Sequence, residues 1–74
     1  MEDNLSGVLA IVRTVGGLEQ LDPDQDFYDA GFTSVNALPL LLEMEDRFQL
    51  QIPDDRFIQA RTARQLCDLI GELL

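Results

Sequence analysis

The chain has no lysine, no histidine and a single cysteine, Cys67, among its 74 residues. Without a lysine amine, there is no attachment point for biotin-type or lipoyl-type cofactors. Without histidine, the commonest general base at neutral pH is missing, and metal binding by sulfur and imidazole is excluded. One cysteine cannot close an internal disulfide, which fits a reducing compartment. Cysteine is among the most buried residue types, so Cys67 reads as a core residue rather than a reactive thiol. No apolar run approaches the roughly 18 residues that a membrane span needs, and the mean hydropathy is close to zero. The first four residues, Met1-Glu2-Asp3-Asn4, are acidic where a secretory signal is basic. A soluble, cytoplasmic protein is expected.

Positive charge is also scarce. Five arginines face 14 acidic residues, for a formal net charge of -9. Such a surface repels phosphate backbones and anionic lipid, so neither nucleic acid nor membrane is an expected partner. Proteins with basic patches are, because opposite charge speeds encounter. The length means one domain, residues 1–74, expected to be monomeric. A chain this short buries only about 60% of its unfolded surface, so its core is thin. With 46% hydrophobic residues, it is nevertheless too apolar to be disordered.

Hydrophobic spacing gives the elements. Leu5, Val8, Leu9, Val12 and Val15 fall on one face of a helix over about residues 4–15. Asp3 or Asn4 can cap it, Gly7 weakens it, and Gly16-Gly17 stops it. Residues 16–33 read as a long ordered loop, with turn formers at Gly17, Asp22-Pro23 and Asp29-Ala30-Gly31. Leu18, Leu21, Phe27 and Phe32 can pin that loop to a core. A second helix is expected from about Ser34 to Phe48, with Thr33 as its N-cap. Leu40, Met44 and Phe48 are its core stripe, with Leu41 beside them. Leu50 and Ile52 alternate with glutamines, and Pro53 closes that segment. Asp54 can cap a short helical turn through Ile58. Thr62 and Gln65 match a capping box that opens a last helix to about Leu73, with Ala63, Leu66, Ile70 and Leu73 inward. The expected fold is all-α, with three longer helices, one short one, and a long loop between the first two.

The chemistry concentrates in Asp29-Ala30-Gly31-Phe32-Thr33-Ser34-Val35. A glycine turn delivers a serine to the start of a helix, where free N–H groups and a partial positive charge suit a phosphate ester. Ser34 has no histidine or lysine to activate it, so a self-contained serine hydrolase is not expected, and no catalytic residue is assigned. Helix two carries more apolar side chains than one face can bury. Val35, Leu38 and Leu42 are left for its rim, ringed by Glu43, Glu45 and Asp46. The surplus fits either a broad core packed against two other helices, or a partner-contact patch or a wall of an acyl groove. In the loop, Asp22, Asp24 and Asp26 stand at the first, third and fifth places of an EF-hand. The sixth place holds Phe27 instead of glycine, and the twelfth holds Thr33 instead of glutamate. The run reads as a solvated acidic loop, and no metal site is expected.

From Phe27 to Ile70 the sequence resembles the acyl and peptidyl carrier protein family. The resemblance rests on Ala30-Gly31-Phe32-Thr33-Ser34-Val35, on the acidic-aromatic helix end Leu42-Glu43-Met44-Glu45-Asp46-Arg47-Phe48, on Ile52-Pro53-Asp54-Asp55, and on Thr62 to Leu66. It implies a four-helix carrier domain in which Ser34 bears a covalent 4'-phosphopantetheine arm. A phosphopantetheinyl transferase would place the arm, a ligase or synthase would load an acyl or aminoacyl group on it as a thioester, and an acceptor enzyme would take that group. Two residues depart from the family's pattern. Thr33 stands where aspartate is usual, as in some carriers loaded with amino acids. Pro39 stands where many fatty-acid carriers have a glutamate, and it should bend helix two near Val35 or delay its start. Both departures point away from ordinary fatty-acid synthesis. The alternative is a carrier-like domain that is never modified and binds a partner helix.

Overall fold

A computed structural model describes residues 4–74. Asp3, one of the two cap candidates, lies outside the described residues. Four helices follow one another: α1 (Asn4–Gly16), α2 (Ala37–Phe48), α3 (Asp54–Phe57) and α4 (Ala63–Leu73). A single 3-10 turn, Ser34–Asn36, precedes α2. Helix α1 packs against both α2 and α4, while α3 leans on α4. This is the expected all-α bundle.

The core follows the helical stripes. Val8, Ile11 and Val12 of α1 meet Leu40, Leu41 and Met44 of α2 and Ala63, Leu66, Leu69 and Ile70 of α4. Ile52 and Phe57 close the end between α2 and α4. Cys67, expected in the core, is only half-buried at its edge, because Leu66 and Ile70 take the inward positions of α4. Helices α1 and α2 stop in the same way. Gly17 and Gln49 take the left-handed conformation (φ 67° and 56°). The next N–H in each case, of Leu18 or Leu50, then donates back to the carbonyl of Arg13 or Glu45.

Helix two starts late, one of the two outcomes expected of Pro39. The α-helix begins at Ala37, not Ser34, and Pro39 is the reason. Continued back to Ser34, an α-helix would need Pro39 to donate an N–H to the Val35 carbonyl, and the proline ring would press on that carbonyl. The chain makes a tighter turn instead, with Asn36 N–H on the Thr33 carbonyl (3.0 Å) and Ala37 N–H on the Ser34 carbonyl. Pro39 thereby falls in the first turn of α2, where its missing N–H has no intrahelical partner to lose. Pro39→Glu is therefore expected to change stability by less than about 1 kcal/mol, the scale of a first-turn carboxylate on the helix dipole, instead of recovering the roughly 3 kcal/mol of a mid-helix proline. Thermal denaturation of the variant checks this.

Three caps also differ. Thr33 stands at the N-cap position, but its side chain makes no capping bond. Asp54 is the first residue of α3, with Pro53 at the cap position. At α4, Thr62 accepts the Gln65 N–H (3.1 Å) as expected, but the Gln65 side chain accepts from Arg61 N–H (2.7 Å), one residue earlier than a capping box requires.

The long loop is strapped to the head of α4. Arg64 N–H donates to the Pro23 carbonyl and Phe27 N–H to the Arg61 carbonyl, each at 2.9 Å. Asp24 pairs with Arg64 and Asp26 with Arg61, both at 2.6 Å. The acidic loop is thus occupied by arginine, and no group of three or more metal-ligating side chains occurs among the described residues. No helix of the described chain is long and apolar enough to cross a membrane.

Candidate functional site

Ser34 stands where the loop hands over to α2. The preceding residue pair is held on one side and open on the other. Phe32 is buried, and its N–H donates to the Phe27 carbonyl at 2.9 Å. Its ring meets Phe27 edge-on at 5.0 Å and Tyr28 at 5.6 Å between centroids. The other side of the ring rests on α1 at Gly16, where an added Cβ would come within 2.5 Å of Phe32 Cδ2. Gly31, at φ 118°, makes the turn into this anchor. Past Phe32 the backbone leaves the core, and Thr33, Ser34 and Val35 are all exposed. Neither Thr33 nor Asn36 makes a side-chain capping bond across the turn, and Ser34 is exposed at its head.

An apolar surface continues from Ser34. Val35, in the 3-10 turn, and Leu38 and Leu42 of α2 are 82%, 62% and 56% exposed and follow one another at helical spacing. Asp46, exposed, extends that stripe by one turn. Glu43 and Glu45 flank it on opposite sides. Glu43 lines a groove toward α1 with Arg47. Glu45 is half-buried and accepts the Ile52 N–H at 2.9 Å, so it also holds the segment leading to α3. The three carboxylates are therefore a ring around the stripe and not a single cluster.

Sequence reasoning missed Ile58, which is 68% exposed. With Leu38, Ala37, Leu41, Asp54 and Phe57 it lines an apolar groove of about 190 Å3 that begins one turn beyond Ser34. The signal was available. Phe57 and Ile58 are adjacent on a short helical turn, which has little buried surface to cover both. A larger groove of about 250 Å3 runs between α1 and α2, lined by Ala10, Ile11, Thr14, Val15, Glu43 and Arg47. It contains neither Ser34 nor the exposed stripe, and its lining is more polar, so size does not single it out as the working surface.

The geometry therefore gives an exposed serine at the entry to a helix, backed by an aromatic anchor. The family profile described as "Phosphopantetheine attachment site" matches residues 6–70. The chain belongs to this family. Acyl carrier proteins are among its relatives. One from Cyanidioschyzon merolae is 36% identical over 69 residues, covering 89% of this chain and 76% of the relative. One from Myxococcus xanthus is 28% identical over 72 residues, covering 93% and 91%. One from Chlorobium phaeobacteroides is 34% identical over 53 residues, covering 70% and 68%. As a member of the phosphopantetheine-attachment family, the chain is a carrier and not a catalyst, and its cofactor is covalent 4'-phosphopantetheine. The alternative of an unmodified interaction domain is not favoured. Ser34 is exposed on a turn closed by backbone bonds, so its hydroxyl fits a covalent group of this kind.

Proposed function

We propose that Ser34 is the attachment residue and that residues 1–74 act as one monomeric carrier domain in the cytoplasm, passing an acyl or aminoacyl thioester between partner enzymes. The observation that carries this reading is Ser34 itself: an exposed hydroxyl at the head of the turn before α2, inside the matched segment. In attachment, the Ser34 oxygen forms the new bond to the pantetheine-side phosphorus of coenzyme A as the P–O–P linkage breaks and adenosine 3',5'-bisphosphate leaves, and the serine proton goes to a base on the transferase, since this chain has no histidine or lysine. When bound, the arm supplies a flexible reach and a terminal thiol. The protein's own work is to anchor one end and to present a surface that partners recognise.

That surface is Val35, Leu38 and Leu42, flanked by Glu43, Glu45 and Asp46. Its support is the exposure of the three apolar side chains beside Ser34 and a net charge of -9. The phosphopantetheinyl transferase, the loading ligase or synthase and the acceptor enzyme are expected to present arginine or lysine there. The relatives' names favour an acyl cargo. Thr33 and Pro39 favour a dedicated loading enzyme over generic fatty-acid enzymes.

Incubation with coenzyme A and a broad-specificity phosphopantetheinyl transferase, followed by intact mass, tests the reading. One adduct on the folded chain is expected, and no adduct overturns it. With a partner in hand, association should slow as salt rises from low to physiological strength, where exposed charges are screened beyond about 8 Å. A stopped-flow rate that does not change with salt would remove the electrostatic part of the proposal.

A further inference from the structure

We infer that Arg61 is a positioning residue for Ser34, although 27 positions separate them in the sequence. The inference rests on Ser34 being the acceptor. Arg61 lies just ahead of α4 and is tied down through its backbone and its side chain alike. Its N–H donates to Gln65 Oε1 (2.7 Å), and its carbonyl accepts the Phe27 N–H (2.9 Å). Its Nε donates to Asp26 Oδ2 (2.6 Å), and its guanidinium lies over the Tyr28 ring, 4.8 Å from the centroid. Asp26 in turn accepts the N–H groups of Tyr28 (2.9 Å) and Asp29 (3.3 Å) through its other oxygen. One side chain thus fixes both the carboxylate that shapes the turn and the ring that leads out of it.

The connection to Ser34 is continuous. Tyr28 and Phe27 grip the Phe32 ring, Gly31 N–H donates to the Tyr28 carbonyl, and Phe32 N–H donates to the Phe27 carbonyl. Phe32 is the last buried residue before Ser34. An exposed ion pair alone contributes little, because solvent screens it and two side chains lose freedom. This pair differs. Asp26 is partly covered (26% side-chain exposure) and its other oxygen already holds two backbone donors. The aromatic contact adds a second attraction to the same guanidinium. The Arg61 hydrogen bond accordingly holds the Asp26 carboxyl below its ordinary range. Arg64, about as exposed as Arg61, pairs with Asp24, whose side chain is 73% exposed against 26% for Asp26. It is the internal control.

Loss of this latch lowers the fraction of molecules that present Ser34 in its turn, and an acceptor that is only fractionally competent binds with a proportionally weaker apparent affinity. Arg61→Ala is therefore expected to raise the KM of the transferase for this carrier about fivefold, with kcat unchanged. Amide exchange at Phe27, Gly31 and Phe32 should speed up by at least about as much, while exchange within α1 stays as in wild type. Arg61→Lys keeps the charge but loses the planar face, so KM should return part of the way. Arg64→Ala should leave KM within about twofold of wild type, as befits an exposed pair. Wild-type KM for Arg61→Ala overturns the inference. So does acceleration of α1 exchange equal to that of the loop, which would mean general destabilisation. Absence of any adduct on wild type is a different failure: it removes the assignment of Ser34, and the exchange data still report whether the latch exists.

Discussion

Replacing Ser34 by alanine is expected to abolish attachment completely while leaving the fold as it was. The two halves of that result have separate causes. With Ser34 as the proposed acceptor, attachment needs its oxygen as nucleophile, and alanine has none. The fold does not need the hydroxyl. Ser34 is exposed, and the turn it opens is closed by backbone bonds from Asn36 N–H and Ala37 N–H to the carbonyls of Thr33 and Ser34. A surface substitution that removes no cap and no packed atom ordinarily changes stability by no more than about 0.5 kcal/mol. The melting temperature should therefore move by less than roughly 4 °C for a domain of this size. Thr33 supplies a built-in check, because its hydroxyl is one residue away and also exposed. Intact mass after treatment with coenzyme A and transferase should show one adduct on wild type, one on Thr33→Ala, and none on Ser34→Ala. An adduct that persists on Ser34→Ala and disappears from Thr33→Ala would move the site by one residue.

The helices are legible because their stripes are long and regular. Val8 and Val12 of α1, Leu40 and Met44 of α2, and Leu66 and Ile70 of α4 are each placed inward by spacing alone, and each is buried. The exposed apolar residues after Ser34 are legible for the complementary reason, that helix two carries more apolar side chains than one face can cover, while Ser34 itself is singled out by the glycine turn at a helix start together with the family resemblance. What spacing does not give is the use of charge. Asp24 and Asp26 are indistinguishable in sequence from solvated loop carboxylates. Their partners, Arg64 and Arg61, lie 40 and 35 residues away, and only the return of the chain at α4 brings them together. Glu45 likewise reads as one of three equivalent surface acids until the turn after Gln49 brings the Ile52 N–H to it. Pro39 is legible as incompatible with an α-helix begun at Ser34. Its low cost is not, because that depends on a short 3-10 turn that moves the helix start to a place where proline is tolerated.

Truncating Phe27 to alanine is expected to lower stability far more than any substitution on the exposed stripe. The side chain is 1% exposed and touches both other rings of the loop, Tyr28 at 4.9 Å and Phe32 at 5.0 Å between centroids. Deleting a buried phenylalanine side chain costs about 3–5 kcal/mol, from lost burial plus the cavity left behind. A domain of this length has only about 4–11 kcal/mol in total. The variant should therefore melt at least about 12 °C lower, and be partly unfolded at room temperature if wild type lies at the low end of that range. Phe27→Leu keeps most of the volume and should lose much less. The comparison that gives this functional meaning is Leu42→Ala. Leu42 is apolar too, but it is 56% exposed on the stripe beside Ser34. Its truncation should leave the melting temperature nearly unchanged and weaken capture by a partner enzyme. Phe27→Leu should instead lower the melting temperature. Circular dichroism melts and a partner-binding titration on the same two variants separate the outcomes. If Leu42→Ala melts as low as Phe27→Ala, Leu42 belongs to the core and not to the recognition surface.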